Sequence, residues 1–96
     1  MFYVYVLDNN KEELYVGYTN NLKRRLAEHN QKRTHSTKSG APWRCIYYEA
    51  CLVEADARRR EGYLKTSGGR RMLKLRLKEH FYKRRARQNI TTGYAL

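Results

Sequence analysis

Residues 2–7, Phe-Tyr-Val-Tyr-Val-Leu, are apolar or aromatic without a break, a composition that favours a strand. A period of two places Tyr3 and Tyr5 on one face and Phe2, Val4 and Val6 on the other. Asp8-Asn9-Asn10-Lys11 is turn chemistry, and Leu14 to Tyr18 reads as the returning strand of an antiparallel hairpin. Gly17 sits where that strand hands over to a loop, and a glycine there permits close approach of another group. Thr19, Asn20 or Asn21 can cap a helix that runs to about Asn30. Gln31 to Pro42 is polar and reads as a loop. Trp43 to Glu49 is a third strand. A second helix begins at about Val53, with Val53, Ala57, Glu61 and Leu64 on one stripe, and Thr66-Ser67-Gly68-Gly69 is expected to end it. Arg70 to about Arg85 is predicted as a third helix with Leu73, Leu77 and Phe81 on its inner face. The pattern predicts an α/β domain of the α+β type over residues 1–87, in the order ββαβαα. It has a small three-stranded, mostly antiparallel sheet flanked by helices, and residues 88–96 form a flexible tail.

Several polar residues fall on the stripes that should face inward. On the first helix Leu22, Arg25, Leu26 and His29 share a face at spacings of three and four. On the second, Glu61 stands where the period asks for a hydrophobe. An Arg, a His and a Glu placed inward either reach a partly open polar cleft or are buried and paired. Tyr5 and Tyr15 come from the two strands that precede these helices. Each has a structural alternative: satisfied strand aromatics for the tyrosines, a buried ion pair for Arg25 with Glu61, and a helix C-terminal cation for His29.

Charge changes the picture further. The 96 residues carry a formal net charge of +12. Residues 1–61 hold 11 basic and 8 acidic residues, net +3, whereas residues 62–96 hold 10 basic residues against Glu79 alone, net +9. Such a field favours a polyanion, with nucleic acid ahead of a membrane surface. Lys23, Arg24, Lys32, Arg33, Lys38, Arg70, Arg71 and Lys74 are the candidate phosphate contacts. No segment approaches bilayer length, and no leader or lipidation motif is recognisable. Cys45 and Cys51 lack the spacing of a metal or redox pair and read as reduced thiols of a cytoplasmic protein.

With these residues in place the chain resembles the GIY-YIG nuclease superfamily, in its small stand-alone single-domain form. Tyr3-Val4-Tyr5 occupies the place of the Gly-Ile-Tyr signature, and Tyr15-Val16-Gly17 that of Tyr-Ile-Gly. Thr19-Asn20-Asn21-Leu22 followed by Arg25 and His29 is similar to the family's strand-to-helix segment. Glu61, in Arg-Arg-Glu-Gly-Tyr-Leu-Lys, is similar to the later helix with the metal-binding glutamate. The resemblance covers roughly residues 2–75. Tyr3 replaces the first glycine of the signature, the family's late asparagine has no match, and Thr34-His35-Ser36 stands where some relatives have a tyrosine.

The resemblance implies a metal-dependent endonuclease that hydrolyses phosphodiester bonds in DNA, with Mg2+ (or Mn2+), in repair or recombination. Glu61 is then the metal ligand, since a hard cation keeps most of its waters and can manage with one protein carboxylate. Arg25 holds the scissile phosphate with a fixed fork of donors. Tyr15 is the first candidate for base or relay and His29 the next, while Tyr5 orients water or phosphate. The alternatives are a non-catalytic nucleic-acid-binding module on the same fold and a small basic protein that coats RNA. With no targeting domain in the reading, substrate choice falls to the loops, the basic third helix, a protein partner or self-association.

Overall fold

A computed structural model describes residues 1–89 of the chain. The predicted tail lies mostly outside them. The elements run β1 (Phe2–Asp8), β2 (Leu14–Thr19), α1 (Leu22–Asn30), β3 (Arg44–Cys51), α2 (Glu54–Leu64), α3 (Ser67–Arg76) and α4 (Lys78–Asn89). A single 3-10 turn at Lys38–Gly40 interrupts the loop before β3. The fold is α+β, as expected.

The sheet has the order β2-β1-β3, and both pairings are antiparallel. The hairpin forms because Asn9 organises the turn. Its carboxamide oxygen accepts from the Lys11 and Glu13 N–H groups at 3.1 and 3.0 Å, a side-chain substitute for a backbone turn. Its amide nitrogen donates to the Gly40 carbonyl at 2.9 Å and so ties the loop before β3 to the hairpin.

The register assigns the two faces. Tyr5 lies opposite Gly17 on β2 and Tyr48 on β3, and Leu7 lies opposite Tyr15. These residues share one face, because directly paired residues point the same way. Val4 pairs with Tyr18 and Glu49, and Val6 with Val16 and Tyr47, on the other face. α1 covers the first face: Tyr5, Leu7 and Trp43 form its buried cluster, with Tyr15, Leu22, Leu26, Ala41 and Cys45 packed against it. α2 lies along the second face, where Tyr18 donates to Glu54 and Arg60 to Glu49 at 2.9 Å.

Two compact units can be distinguished, Met1–Tyr63 and the part from Leu64 onward. In the second, the structure corrects the expected single helix from Arg70 to Arg85. There are two helices, and Leu77 separates them at φ −112°, ψ 29°. Its N–H closes α3 on the Leu73 carbonyl at 2.9 Å, and its own carbonyl accepts from Phe81 at 3.1 Å. Thr66 to Gly69 do not end α2 but open α3. The Thr66 hydroxyl accepts from the Gly69 N–H at 3.1 Å, an N-cap bond that a hydroxyl three residues upstream is placed to make. Val53 also leaves the predicted stripe. Its carbonyl accepts from Asp56 and Ala57 at the start of α2, and its side chain is exposed.

Candidate active site

The centre of the first unit is a chain of hydrogen bonds with no access to solvent. The Tyr5 hydroxyl lies 2.8 Å from His29 Nε2, and His29 Nδ1 lies 2.6 Å from Thr37 Oγ1. All three side chains are buried. Burial holds the His29 pKa below its ordinary value, and the Arg25 charge adds to that, so the ring is neutral. Burial also pushes the Tyr5 hydroxyl up to about 12, so it is protonated. A neutral imidazole offers one donor and one acceptor. One of the two hydroxyls therefore donates to the ring and the other accepts from it.

Local sequence builds this arrangement. Gly17 faces Tyr5 across the β1–β2 ladder, and a Cβ there would run into Cζ and the hydroxyl of Tyr5. The absence of a side chain at Gly17 is what lets the phenol lie across β2 toward α1. Asn21 caps α1 by accepting from the Arg24 N–H at 3.0 Å, and Thr19 Oγ1 accepts from the Asn21 N–H at 3.1 Å. This fixes the phase at which Arg25 and His29 face the sheet. The loop that carries Thr37 is pinned at several points. Asn30 bonds the backbone of Trp43 at 2.6 and 2.8 Å, and Trp43 Nε1 donates to the Thr37 carbonyl at 2.8 Å.

Around this chain stand the other residues that the sequence singles out. Tyr15 is half-buried, with its ring 5.0 Å from His29, 6.3 Å from Tyr5 and 6.3 Å from Trp43. Arg25 is half-buried and pairs with Glu28 at 3.0 Å. Burial works against its cation, but bonds to Glu28 and to the Tyr5 hydroxyl outweigh that cost and keep it charged. Glu61 is half-buried on α2, and its charge helps to hold the Tyr5 proton in place. Tyr5, Tyr15, Arg25, His29 and Glu61 thus gather in one neighbourhood, from two strands and two helices. Thr37 escaped the sequence reading. It sits in a polar loop with no periodicity, and only its bond to His29 marks it. His35, in the same loop, is exposed.

The phosphate-contact candidates lie on the surface. Lys23 and Arg24 are exposed on α1, and Lys32, Arg33 and Lys38 are exposed in the loop that follows it. Arg71 and Lys74 are exposed and Arg70 half-buried on α3, in the second unit. That unit has a cleft of about 540 Å³ lined by Lys74, Lys78, Glu79, Phe81, Tyr82 and Arg85.

Among the described residues, no three His, Cys, Asp or Glu side chains group as a ready-made metal cage. The donor set here is one carboxylate, Glu61, among phenolic oxygens. That suits a hard cation that keeps its waters and takes its remaining ligands from a phosphate. It does not suit a structural zinc site, which needs four nitrogen or sulfur ligands.

This sheet, with two tyrosines, an arginine and a glutamate on these elements, is of the α+β kind expected of the superfamily that the sequence resembles. The chain belongs to the GIY-YIG nuclease superfamily: the family model for the GIY-YIG catalytic domain matches residues 1–74. Its relatives include a UPF0213 protein of Clostridium perfringens, 38% identical over 68% of this chain and 71% of the relative. A UPF0213 protein of Staphylococcus haemolyticus is 36% identical over 76% of this chain and 90% of the relative. The solution NMR structure of a UPF0213 protein from Bacillus halodurans has a TM-score of 0.51 at 28% identity. It covers 88% of this chain and 93% of that one.

Proposed function

We propose that the chain is a metal-dependent DNA endonuclease that cleaves phosphodiester bonds at the site around Tyr5, selective for DNA structure and acting in repair or recombination. The observation that carries the reading is the buried Tyr5–His29–Thr37 chain beside a charged Arg25. Binding of nucleic acid alone needs basic side chains. It does not need a tyrosine held against a neutral imidazole, nor a carboxylate in the same neighbourhood.

In this reading Arg25 grips the scissile phosphate, and its charge favours ionisation of the phenol it touches. As Arg25 turns from the Tyr5 hydroxyl to the phosphate it uncovers that buried oxygen, which takes the proton of the attacking water and passes its own to His29 Nε2. Thr37 holds the ring in the tautomer that can receive it. Tyr15, with its ring 5.0 Å from His29, orients the water. This reverses the roles the sequence suggested for the two tyrosines, because the hydrogen bond to His29 belongs to Tyr5. His29 acts through Tyr5, since its Nε2 is bonded to the Tyr5 hydroxyl. A divalent cation held by Glu61 would supply charge stabilisation at the phosphate and the leaving oxygen. The remaining work is positioning, which dominates phosphoryl chemistry.

The test is cleavage of labelled plain, nicked, flapped and branched DNAs and an RNA, with magnesium and then manganese, beside Glu61→Ala. Cleavage lost in the variant with binding retained supports the reading and ranks the substrates. Tight binding with no cleavage by either protein would favour the non-catalytic module.

A further inference from the structure

Tyr48 is 56% exposed although it lies on the sheet face that carries the site. It is paired directly across β1–β3 with Tyr5, so the two side chains leave neighbouring strands on the same face. β3 is an edge of the sheet. Tyr3 meets the Tyr48 ring edge-on, with centroids 6.0 Å apart and planes at 65°. That contact sets the plane of the Tyr48 ring and leaves much of the side chain open. Two grooves, of about 380 and 640 Å³, meet at Tyr48, Leu22 and Lys23. The smaller continues past Asn20 and Asn21, and the larger has an apolar floor at Leu26 and Cys45. An open aromatic ring, a lysine at the junction of two grooves and polar amides at one end match the parts of a nucleotide: base, phosphate and base edge.

We infer that Tyr48, braced by Tyr3 and flanked by Lys23, is a stacking platform for one unpaired DNA base on the sheet face that carries the site, and so selects single-stranded or junction DNA. The inference rests on the nuclease reading for its substrate class and deepens it. The base must be unpaired because in a duplex both of its π-faces are covered by neighbouring pairs. A single ring on an exposed edge strand can be met only by a base out of the stack. Lys23, where the two grooves meet, is placed for a phosphate of that strand.

The probe is a single-stranded oligonucleotide with 2-aminopurine moved one position at a time, bound without divalent metal so that nothing is cut. The same strand annealed to its complement is the control. The expected result is strong quenching at one position in the single strand and none in the duplex. Tyr48→Ala removes that quenching and weakens single-strand binding about tenfold while duplex binding is unchanged. Tyr48→Phe retains both the quenching and the affinity. An abasic nucleotide at the quenched position weakens the unsubstituted protein to the same degree and leaves Tyr48→Ala unaffected. The inference is overturned if Tyr48→Ala binds and quenches as the parent does, or loses duplex and single-strand affinity alike. Should Tyr48→Ala fail to fold, insensitivity of the parent protein to abasic sites at every position overturns it independently. No arm requires cleavage, so the platform and the nuclease reading can fail separately.

Discussion

Under α1, one face of the sheet buries Tyr5, His29 and Thr37 in a chain of hydrogen bonds away from water. Along α2, the other face carries an exposed ion pair and a half-buried one. Arg58 pairs with Glu54 at 3.0 Å and lies 4.6 Å over the Tyr18 ring, and Arg60 pairs with Glu49 at 2.9 Å. The two networks use similar residue types to different effect. Exposed ion pairs are screened and contribute little net stability. A buried chain has no water to fall back on, so every donor and acceptor must be matched and only one geometry satisfies all of them. The α2 face tolerates rearrangement, whereas the α1 face specifies the position of one hydroxyl. A site that works by positioning belongs on the second kind of face.

That contrast can be broken in several places. The largest effect is expected from Arg25→Ala, which removes the phosphate grip and the charge that favours Tyr5 ionisation. Single-turnover cleavage should fall about 10²- to 10³-fold, with the unfolding midpoint little changed. A rate close to that of the parent would separate Arg25 from the chemistry. Next is Gly17→Ala. Its Cβ would collide with the end of the Tyr5 side chain, and overpacking of this kind costs about 1–3 kcal/mol. Urea unfolding and cleavage should decline together, and an unchanged midpoint would mean that Tyr5 has room to move.

Thr37→Val probes the contrast without touching Tyr5. It leaves His29 Nδ1 buried without its hydrogen-bond partner, at a cost of about 1–3 kcal/mol. Arg58→Ala, on the exposed face, should leave the midpoint where it was. Equal shifts in the two variants would erase the distinction between the faces. The smallest expected effect is pH dependence. The His29 pKa is depressed in the folded state from its ordinary 6.5, so its contribution is fully present above that value. It is lost as pH falls through the folded value, where the unfolded chain binds the proton more readily. His29→Gln should flatten this part of the stability profile, and parallel profiles for parent and variant would contradict a buried neutral ring.

Much of this was legible in the sequence. The hairpin, a cap among Thr19, Asn20 and Asn21, and the inward phase of Arg25 and His29 follow from local pattern, because turn residues and helical spacing act within a few positions of themselves. The gathering of Tyr5, Tyr15, Arg25, His29 and Glu61 could be anticipated because each stood out of place on its own stripe. Thr37 could not be found this way, since its role comes from a contact with a residue eight positions away in an aperiodic loop. The division of helix at Leu77 was also hidden: neither proline nor glycine marks it, and the apolar spacing of Leu73, Leu77 and Phe81 runs straight through. Thr66 to Gly69 were visible as a boundary, but a Thr-Ser-Gly-Gly stretch can stop one helix or start another. The Thr66 hydroxyl decides it.

The central claim is that the Tyr5 hydroxyl moves the proton, and Tyr5→Phe tests it with little change in shape. Single-turnover cleavage of the preferred DNA should be measured beside Tyr15→Phe, with binding and unfolding followed on the same samples. The account predicts a fall of about 10²-fold or more for Tyr5→Phe, a smaller one for Tyr15→Phe, and retained binding in both. A folded Tyr5→Phe that cuts at nearly the parental rate would contradict it.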